Sequence, residues 1–487
     1  MLLVGVAAST AVALSPSCDS LSLVQSTPVG SFDVPPLAEA TWLALTRLVN
    51  SSQRTLDLTA MYVDLLGIEA RQYFNASRMR AFGADYGVKL FDALKAAAAR
   101  GVTMRLLLGT LNDPLNSTEV QTLLKYPSVS ARSWDPLPWY GGGIMHAKLW
   151  VSDGRAAYLG SANADWKSLA QVKELGVLVH GRRLTADISS LFDIYWEWAA
   201  PDFAVNETTT VDSPTLLTTL QVPTWDPAVP PARRQPSPFE SSPAAAHVDK
   251  AVEVCDRGNV TAGGAFVSAS PGGAVVPPRT PDLDALLGTI TGARSTLCLS
   301  VMDFLPGSAY SGGHGGVPVH WPALTDAILA VAFARNVSVR LLVSNWAHTA
   351  TQQVAAMTRL ADGLAACAGA RQGCAGSLEV RQFFVPGWNA TRSPDALATT
   401  TSVEEQAAAA AADTAAWPSF TRVNHAKYIV SDSRVNIGTS NWEWGYFAQT
   451  AGASLNTDDP NLVSAAQAVF DADWSSAYAV PLLPVAR

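Results

Sequence analysis

The chain has 487 residues, 48% hydrophobic and 15% charged, with a formal net charge of −8. That apolar content excludes a mainly disordered chain and is enough for a large core. Beyond the N-terminus no uncharged apolar run reaches the roughly 18 residues of a spanning helix, which excludes a multi-span membrane protein, and the acidic balance excludes a general nucleic-acid coat.

Taken in chain order, Met1 to Leu14 are small and apolar. Residues 1–17 therefore read as a signal peptide or as the end of a membrane anchor. A run from Thr55 to Tyr62 reads as a strand, Val88 to Arg100 as a helix with Leu90, Leu94 and Ala98 on one face, and Thr103 to Leu108 as a buried strand. The first half, 18–205, closes on a helical segment, Leu184 to Ala199. Residues 206–278 are rich in Pro, Ser and Thr and read as an irregular connection. In the second half, 279–487, a strand-like run Thr296 to Met302, a helix Pro322 to Ala334 and a strand Val337 to Val343 follow the same order. An Ala-rich insert, Gln406 to Ala416, precedes a final helix from Asn461 to Ala477. Alternation of strand and helix predicts an α/β fold with sheets covered by helices.

The halves repeat one another. Arg54-Thr-Leu-Asp-Leu-Thr-Ala-Met resembles Ser295-Thr-Leu-Cys-Leu-Ser-Val-Met, and Gly101-Val-Thr-Met-Arg-Leu-Leu-Leu resembles Asn336-Val-Ser-Val-Arg-Leu-Leu-Val. A unit near 200 residues is too long for a solenoid period. The third repeated segment carries chemistry: His146, Lys148 and Asp153, then Gly160, Ser161 and Asn163, return as His425, Lys427 and Asp432, then Gly438, Thr439 and Asn441. In a strand, residues i and i+2 share a face, so each copy sets an imidazole beside an ammonium. Two copies about a pseudo-two-fold axis give two His, two Lys and two Asn around one pocket. That set suits a phosphodiester: one neutral imidazole attacks phosphorus and forms a phosphohistidine, and the opposite imidazolium protonates the leaving oxygen. The Lys and Asn side chains hold the non-bridging oxygens, and no metal or other cofactor is required. Asp153 and Asp432 are expected to brace the turns behind these groups, with Ser161 and Thr439 supporting the pocket.

Seven Asn residues begin N-x-S/T sequences, more than composition predicts, and favour glycosylation in the secretory pathway. The candidates are Asn50, Asn75, Asn116, Asn206, Asn259 and Asn389, while Asn336 precedes a strand and is expected to be unused. Among the five cysteines, Cys298 reads as a buried thiol, and Cys18 with Cys255 and Cys367 with Cys374 are the disulfide candidates.

The two repeated segments resemble the HKD motifs of the phospholipase D superfamily. The run from Leu159-Gly-Ser-Ala-Asn-Ala-Asp-Trp to Lys173-Glu-Leu-Gly-Val is similar to its lysosomal 5′-exonuclease branch. Asn424-His-Ala-Lys-Tyr, Ile437-Gly-Thr-Ser-Asn-Trp and Val301-Met-Asp-Phe-Leu-Pro point the same way. The resemblance implies two similar lobes, each a mixed β-sheet flanked by helices, with the active site at the pseudo-two-fold interface. It implies His146 as nucleophile and His425 as general acid and then base. It also implies that Glu174 orients His146, and that Gln449 stands where a Glu would orient His425. The expected partner is the end of a single-stranded nucleic acid, with Tyr62, Phe304, Trp346, Trp442 and Trp444 as candidates to stack on bases and His348 and His320 as candidates for the pocket rim. The alternative partner is a phospholipid head group, with Leu65, Leu66 and Phe304 as an apolar wall. A homodimer and an N-terminal membrane anchor are further partner expectations, and the lysosome or vacuole or the extracellular space is the expected location.

Overall fold

The computed structural model describes residues 18–140, 142–201, 208–213, 218–223, 252–256, 259–271, 279–308, 319–368, 373–387 and 417–482. Residues 1–17, the Ala-rich insert, Asn206 and Asn389 lie outside them.

Apolar runs of strand length alternate with amphipathic helices, and each half folds into one mixed sheet. In the first lobe the strand order is Glu39–Ala40, Ser20–Ser26, Glu174–His180, Ala156–Gly160, Leu149–Ser152, Thr55–Ala60, Thr103–Leu108 and Val129–Ser133. Thr55–Ala60 pairs in parallel with Thr103–Leu108 through the crossover helix Asp85–Ala99, while Leu149–Ser152, Ala156–Gly160 and Glu174–His180 run as an antiparallel meander. The crossover helix buries Leu90, Phe91, Leu94, Ala97 and Ala98, the one-sided stripe that i, i+3, i+4 spacing produces. The second lobe repeats the plan. Thr296–Val301 lies parallel to Ser338–Ser344 through the helix Ala323–Ala334, and Tyr428–Ser431, Val435–Gly438 and Gly452–Thr457 form the meander.

The two sheets bury one face against each other. Val177 and Leu159 of the first lobe, Tyr428 and Ile437 of the second, and Phe192 and Phe470 from the helices Arg183–Trp198 and Pro460–Trp474 belong to a single core. Two buried ion pairs cross this interface. Lys173 of the first lobe reaches Asp473 of the second at 2.8 Å, and Arg279 meets Asp187.

The stretch 206–278 is not an irregular connection throughout. Thr208–Ser213 and Thr218–Pro223 pair as a hairpin. Val252–Asp256 and Asn259–Ser270 enter the second sheet, where Asn259–Ser270 pairs antiparallel with Gly452–Thr457 as Ser20–Ser26 pairs with Glu174–His180. The strand escapes a propensity reading because it carries Gly263 and Gly264 beside small residues. Gly263 is needed there, since a Cβ would come 2.4 Å from the Cα of Asp459. Disulfides join Cys18 to Cys255 and Cys367 to Cys374, and Cys298 is a buried free thiol. Asn50, Asn75, Asn116 and Asn259 are exposed. Asn336 is exposed as well, in the segment before Ser338–Ser344.

Candidate active site

The meander strands deliver the two histidines to the lobe interface. Each strand end bridges to the opposite lobe: the His146 backbone N–H donates to Ala451 O, and that of His425 to Lys173 O. These reciprocal bonds bring two segments about 280 positions apart to one place, with the imidazole centroids 6.4 Å apart. A cavity of about 510 Å³ opens over them, lined by both histidines together with Asn163, Asn441, Tyr62, Trp346 and His348.

Lys148 and Lys427 lie beneath, each buried, with its ammonium donating to the carbonyl of its own histidine. Burial lowers both ammonium pKa values, and the charge of Lys427 adds to the effect on Lys148. His146 is held well below the ordinary imidazole range, first by burial and then by Lys148, Lys427 and His425. Burial also lowers His425, but Glu174 opposes it. The two imidazoles are therefore inequivalent.

The carboxylate partner differs from expectation. Glu174 does not orient His146; its oxygens lie 2.9 and 3.0 Å from Nδ1 of His425. The reason is the crossing of the backbone at Lys173, which turns the next residue toward the other lobe. His146 Nδ1 is buried with no hydrogen-bonding side chain beside it. Gln449 is not the counterpart of Glu174 either, and it does not orient His425. Ser161 N–H donates to Leu175 O and Thr439 N–H to Ala453 O, so the residue matching Glu174 is Gly452, and Gln449 matches Gln171. The turn at Asp432 is one residue shorter than that at Asp153, so the 28 positions from His146 to Glu174 become 27 from His425 to Gly452, whereas Gln449 lies only 24 positions on. Gln449 donates its amide to Tyr140 O, and its backbone packs on Gly143, where a Cβ would come 2.2 Å from the Gln449 carbonyl oxygen.

The motif aspartates sit away from the cavity. Asp153 accepts backbone N–H bonds from Gln53, Arg54 and Thr55, and Asp432 from Arg294, Ser295 and Thr296. These bonds hold both carboxyls below the usual range despite partial burial. Ser161 and Thr439 hydroxyls bond the neighbouring strand at Leu175 and Ala453. Asn441 donates to Asp303 at 2.7 Å and to the Tyr446 hydroxyl at 3.2 Å.

Of the aromatic candidates, Tyr62, Trp346 and His348 line the cavity, and the Tyr62 hydroxyl donates to Asp165. Phe304 and Trp442 do not. They bridge one another at 1% and 2% exposure in the second-lobe core, because the backbone ladder there draws both inward. Leu65 is likewise core. Sequence reasoning missed Phe420, Tyr446, Asp165 and Asp303, all on the cavity wall. The last two stand in the Asn-Ala-Asp-Trp and Val-Met-Asp-Phe runs, whose similarity to relatives was the available signal. Among the described residues no cluster of His, Cys, Asp or Glu is placed to hold a metal ion, and no helix is long and apolar enough to cross a membrane.

Residues 45–196 match the family model described as "Cardiolipin synthase, PLD-like domain", and residues 238–388 match "PLD3/4, PLD-like domain". Phospholipase D Z of Dictyostelium discoideum is 30% identical over 439 residues, spanning 89% of this chain and 85% of that protein. The 5'-3' exonuclease PLD3 of Macaca fascicularis is 31% identical over 471 residues, spanning 95% and 80%. The 5'-3' exonuclease PLD4 of Mus musculus is 30% identical over 482 residues, spanning 96% and 80%.

Proposed function

The chain belongs to the phospholipase D family, and on that premise we propose that it is a 5′→3′ exonuclease on single-stranded DNA or RNA, working through a phosphohistidine and releasing 3′-phosphomononucleotides. The observation that carries the mechanism is the inequivalence of the histidines. His146, surrounded by cationic groups and without a carboxylate, stays neutral, as a nucleophile must. His425, against Glu174, is the more readily protonated of the two, as a general acid must be.

In the first step a ring nitrogen of His146 attacks phosphorus. The P–O bond to the 5′ oxygen of the next nucleotide breaks, and His425 gives that oxygen its proton. In the second step His425, now neutral, takes a proton from water. The hydroxide displaces His146, and the 3′-phosphomononucleotide leaves. Burial makes the Lys148 and Lys427 ammonium groups easier to deprotonate in the empty pocket, and the phosphoryl oxygens favour their charged forms, so the positive charge behind those oxygens is strongest with substrate bound. Asp153 and Asp432 act on the turns, not on substrate. The second lobe extends back to Val252, whose strand pairs with Asn259–Ser270. The disulfides and exposed sequons support a secretory or lysosomal setting.

A second reading, phospholipid hydrolysis or transfer, draws on Met61, Leu111, Ile144 and Met302 in the cavity wall. One assay separates the two. The protein is incubated with EDTA near pH 5 with 5′-hydroxyl or 5′-blocked single-stranded oligonucleotides, or with phosphatidylglycerol vesicles. Stepwise loss from the open 5′ end, absent in His146→Ala, is the expected result. Turnover of lipid with intact oligonucleotides overturns the exonuclease.

A further inference from the structure

We infer that Phe420, stacked on His348, is the platform on which a nucleobase next to the scissile phosphate lies, an inference that rests on the nucleic-acid reading above. Three observations converge on this residue. Its ring is parallel to the His348 imidazole, with centroids 4.6 Å apart and planes at 9°, and Trp346 closes on the imidazole at 4.6 Å. Phe420 nevertheless remains 53% exposed on the wall of the catalytic cavity, so much of its side chain is open to a ligand.

The backbone is forced to present it. Phe420 has φ +56° and Arg422 φ +57°, a left-handed conformation that bulky side chains rarely adopt. The Arg422 guanidinium holds this turn. It is buried, lies 4.0 Å over the Trp417 ring, and donates to Val29 O at 3.1 Å, Gly30 O at 2.8 Å and Pro386 O, so both lobes grip it. Three residues later the chain reaches His425, which ties the ring's position to that of the general acid. Strain kept to expose a flat apolar ring beside a reacting centre is what a ligand-stacking role requires.

The occupant is a base and not an acyl chain because of what surrounds the ring. A parallel imidazole–phenyl pair extends as a stack of flat groups, and the Lys167 ammonium, 3.7 Å from Asp64, lies over the ring at 5.9 Å from its centroid and sets a positive charge beside the stack.

The test compares wild type, Phe420→Ala, Phe420→Leu and Phe420→Trp on single-stranded oligonucleotides that carry all bases, or an abasic tetrahydrofuran residue at the first or second 5′ position. Wild type is expected to lose roughly tenfold to hundredfold in kcat/KM at one of the two abasic positions. Phe420→Ala and Phe420→Leu should lose a similar factor on the intact strand and nothing more on that abasic strand, while Phe420→Trp keeps wild-type discrimination. Equal losses on intact and abasic strands would mark a merely structural role and overturn the platform. So would unchanged activity of Phe420→Ala on the intact strand, or a loss seen only with phosphatidylglycerol vesicles. Wild type that cleaves none of the strands refutes the exonuclease itself, a different result from cleavage without base discrimination.

Discussion

The Glu174 carboxylate and the His425 imidazole come from opposite lobes, 251 positions apart, yet Glu174 Oε2 lies 2.9 Å from His425 Nδ1, and the pair is buried. Its pseudo-symmetric place beside His146 holds Gly452 instead of a carboxylate. The duplication therefore supplies two similar histidines, and one carboxylate makes them chemically different.

Removing that carboxylate should act on the proton more than on the fold. Glu174 raises the pKa of His425 against a burial that lowers it, so Glu174→Gln lowers it further. Less His425 is then protonated at any given pH, and the alkaline limb of the kcat profile moves to lower pH. The rate should fall by roughly 10² or more with a poor leaving group and much less with p-nitrophenolate, which needs no general acid. A pH profile that falls uniformly without moving would contradict the pairing.

The histidines should fail in different ways. His146→Ala should retain less than about a thousandth of wild-type turnover, because no other group can take up the phosphoryl. His425→Ala, given bis(p-nitrophenyl) phosphate, should release one equivalent of p-nitrophenolate in a burst and keep an acid-labile phosphoenzyme. Intact-protein mass spectrometry would detect the adduct, and an adduct on His146→Ala instead would reverse the assignment.

Anion binding should draw in protons. Burial lowers His146, Lys148 and Lys427, and neighbouring cations add to it for His146 and Lys148. An oxyanion in the cavity favours their charged forms, so tungstate should bind with proton uptake and more tightly as pH falls. The sign for stability follows from linkage. Below their ordinary pKa values the unfolded chain holds protons that the folded, empty pocket resists, so these groups cost stability as pH falls. Tungstate should therefore raise the melting temperature more at pH 5 than at pH 8. Calorimetry in two buffers of different ionisation heat counts the protons, and a pH-independent affinity would exclude the linkage.

The buried Lys173–Asp473 pair should behave as an interface lock. Both side chains are at most 1% exposed, so Lys173→Met strands a buried carboxylate and should cost about 3–5 kcal/mol. Adding Asp473→Leu should recover most of that loss. Denaturant unfolding of the single and double variants measures both, and an additive double variant would show that the pair is not coupled.

Much of this protein was legible in its sequence because the relevant distances are local. In each pair the His and the Lys stand two positions apart, in the segments that lead into Leu149–Ser152 and Tyr428–Ser431, ahead of the strands in which the spacing alone would place them. The repeat of that spacing at His425 and Lys427 announced a pocket shared by two copies, and the helices and strands on either side followed their hydrophobic periods. The strand Asn259–Ser270 was not legible, since its Gly and Ala positions are set by close packing against Asp459 and the facing strand, not by propensity. Phe304 and Trp442 read as candidates for the cavity but were taken into the core by the bridge between them.

The sequence by itself determined the reacting groups, their number and their local geometry. The tertiary structure alone decided which histidine meets a carboxylate, that Gly452 and not Gln449 occupies the matching place, and that Phe420 opens onto the cavity. Those relationships join segments distant in the chain, across an interface where the backbone crosses at Lys173 and Ala451. A one-residue difference in turn length shifts a count along the chain by one, from Ala453 to Gly452, and choosing Gln449 for its residue type misses that register by three positions, while hydrogen-bond register is spatial and is unaffected.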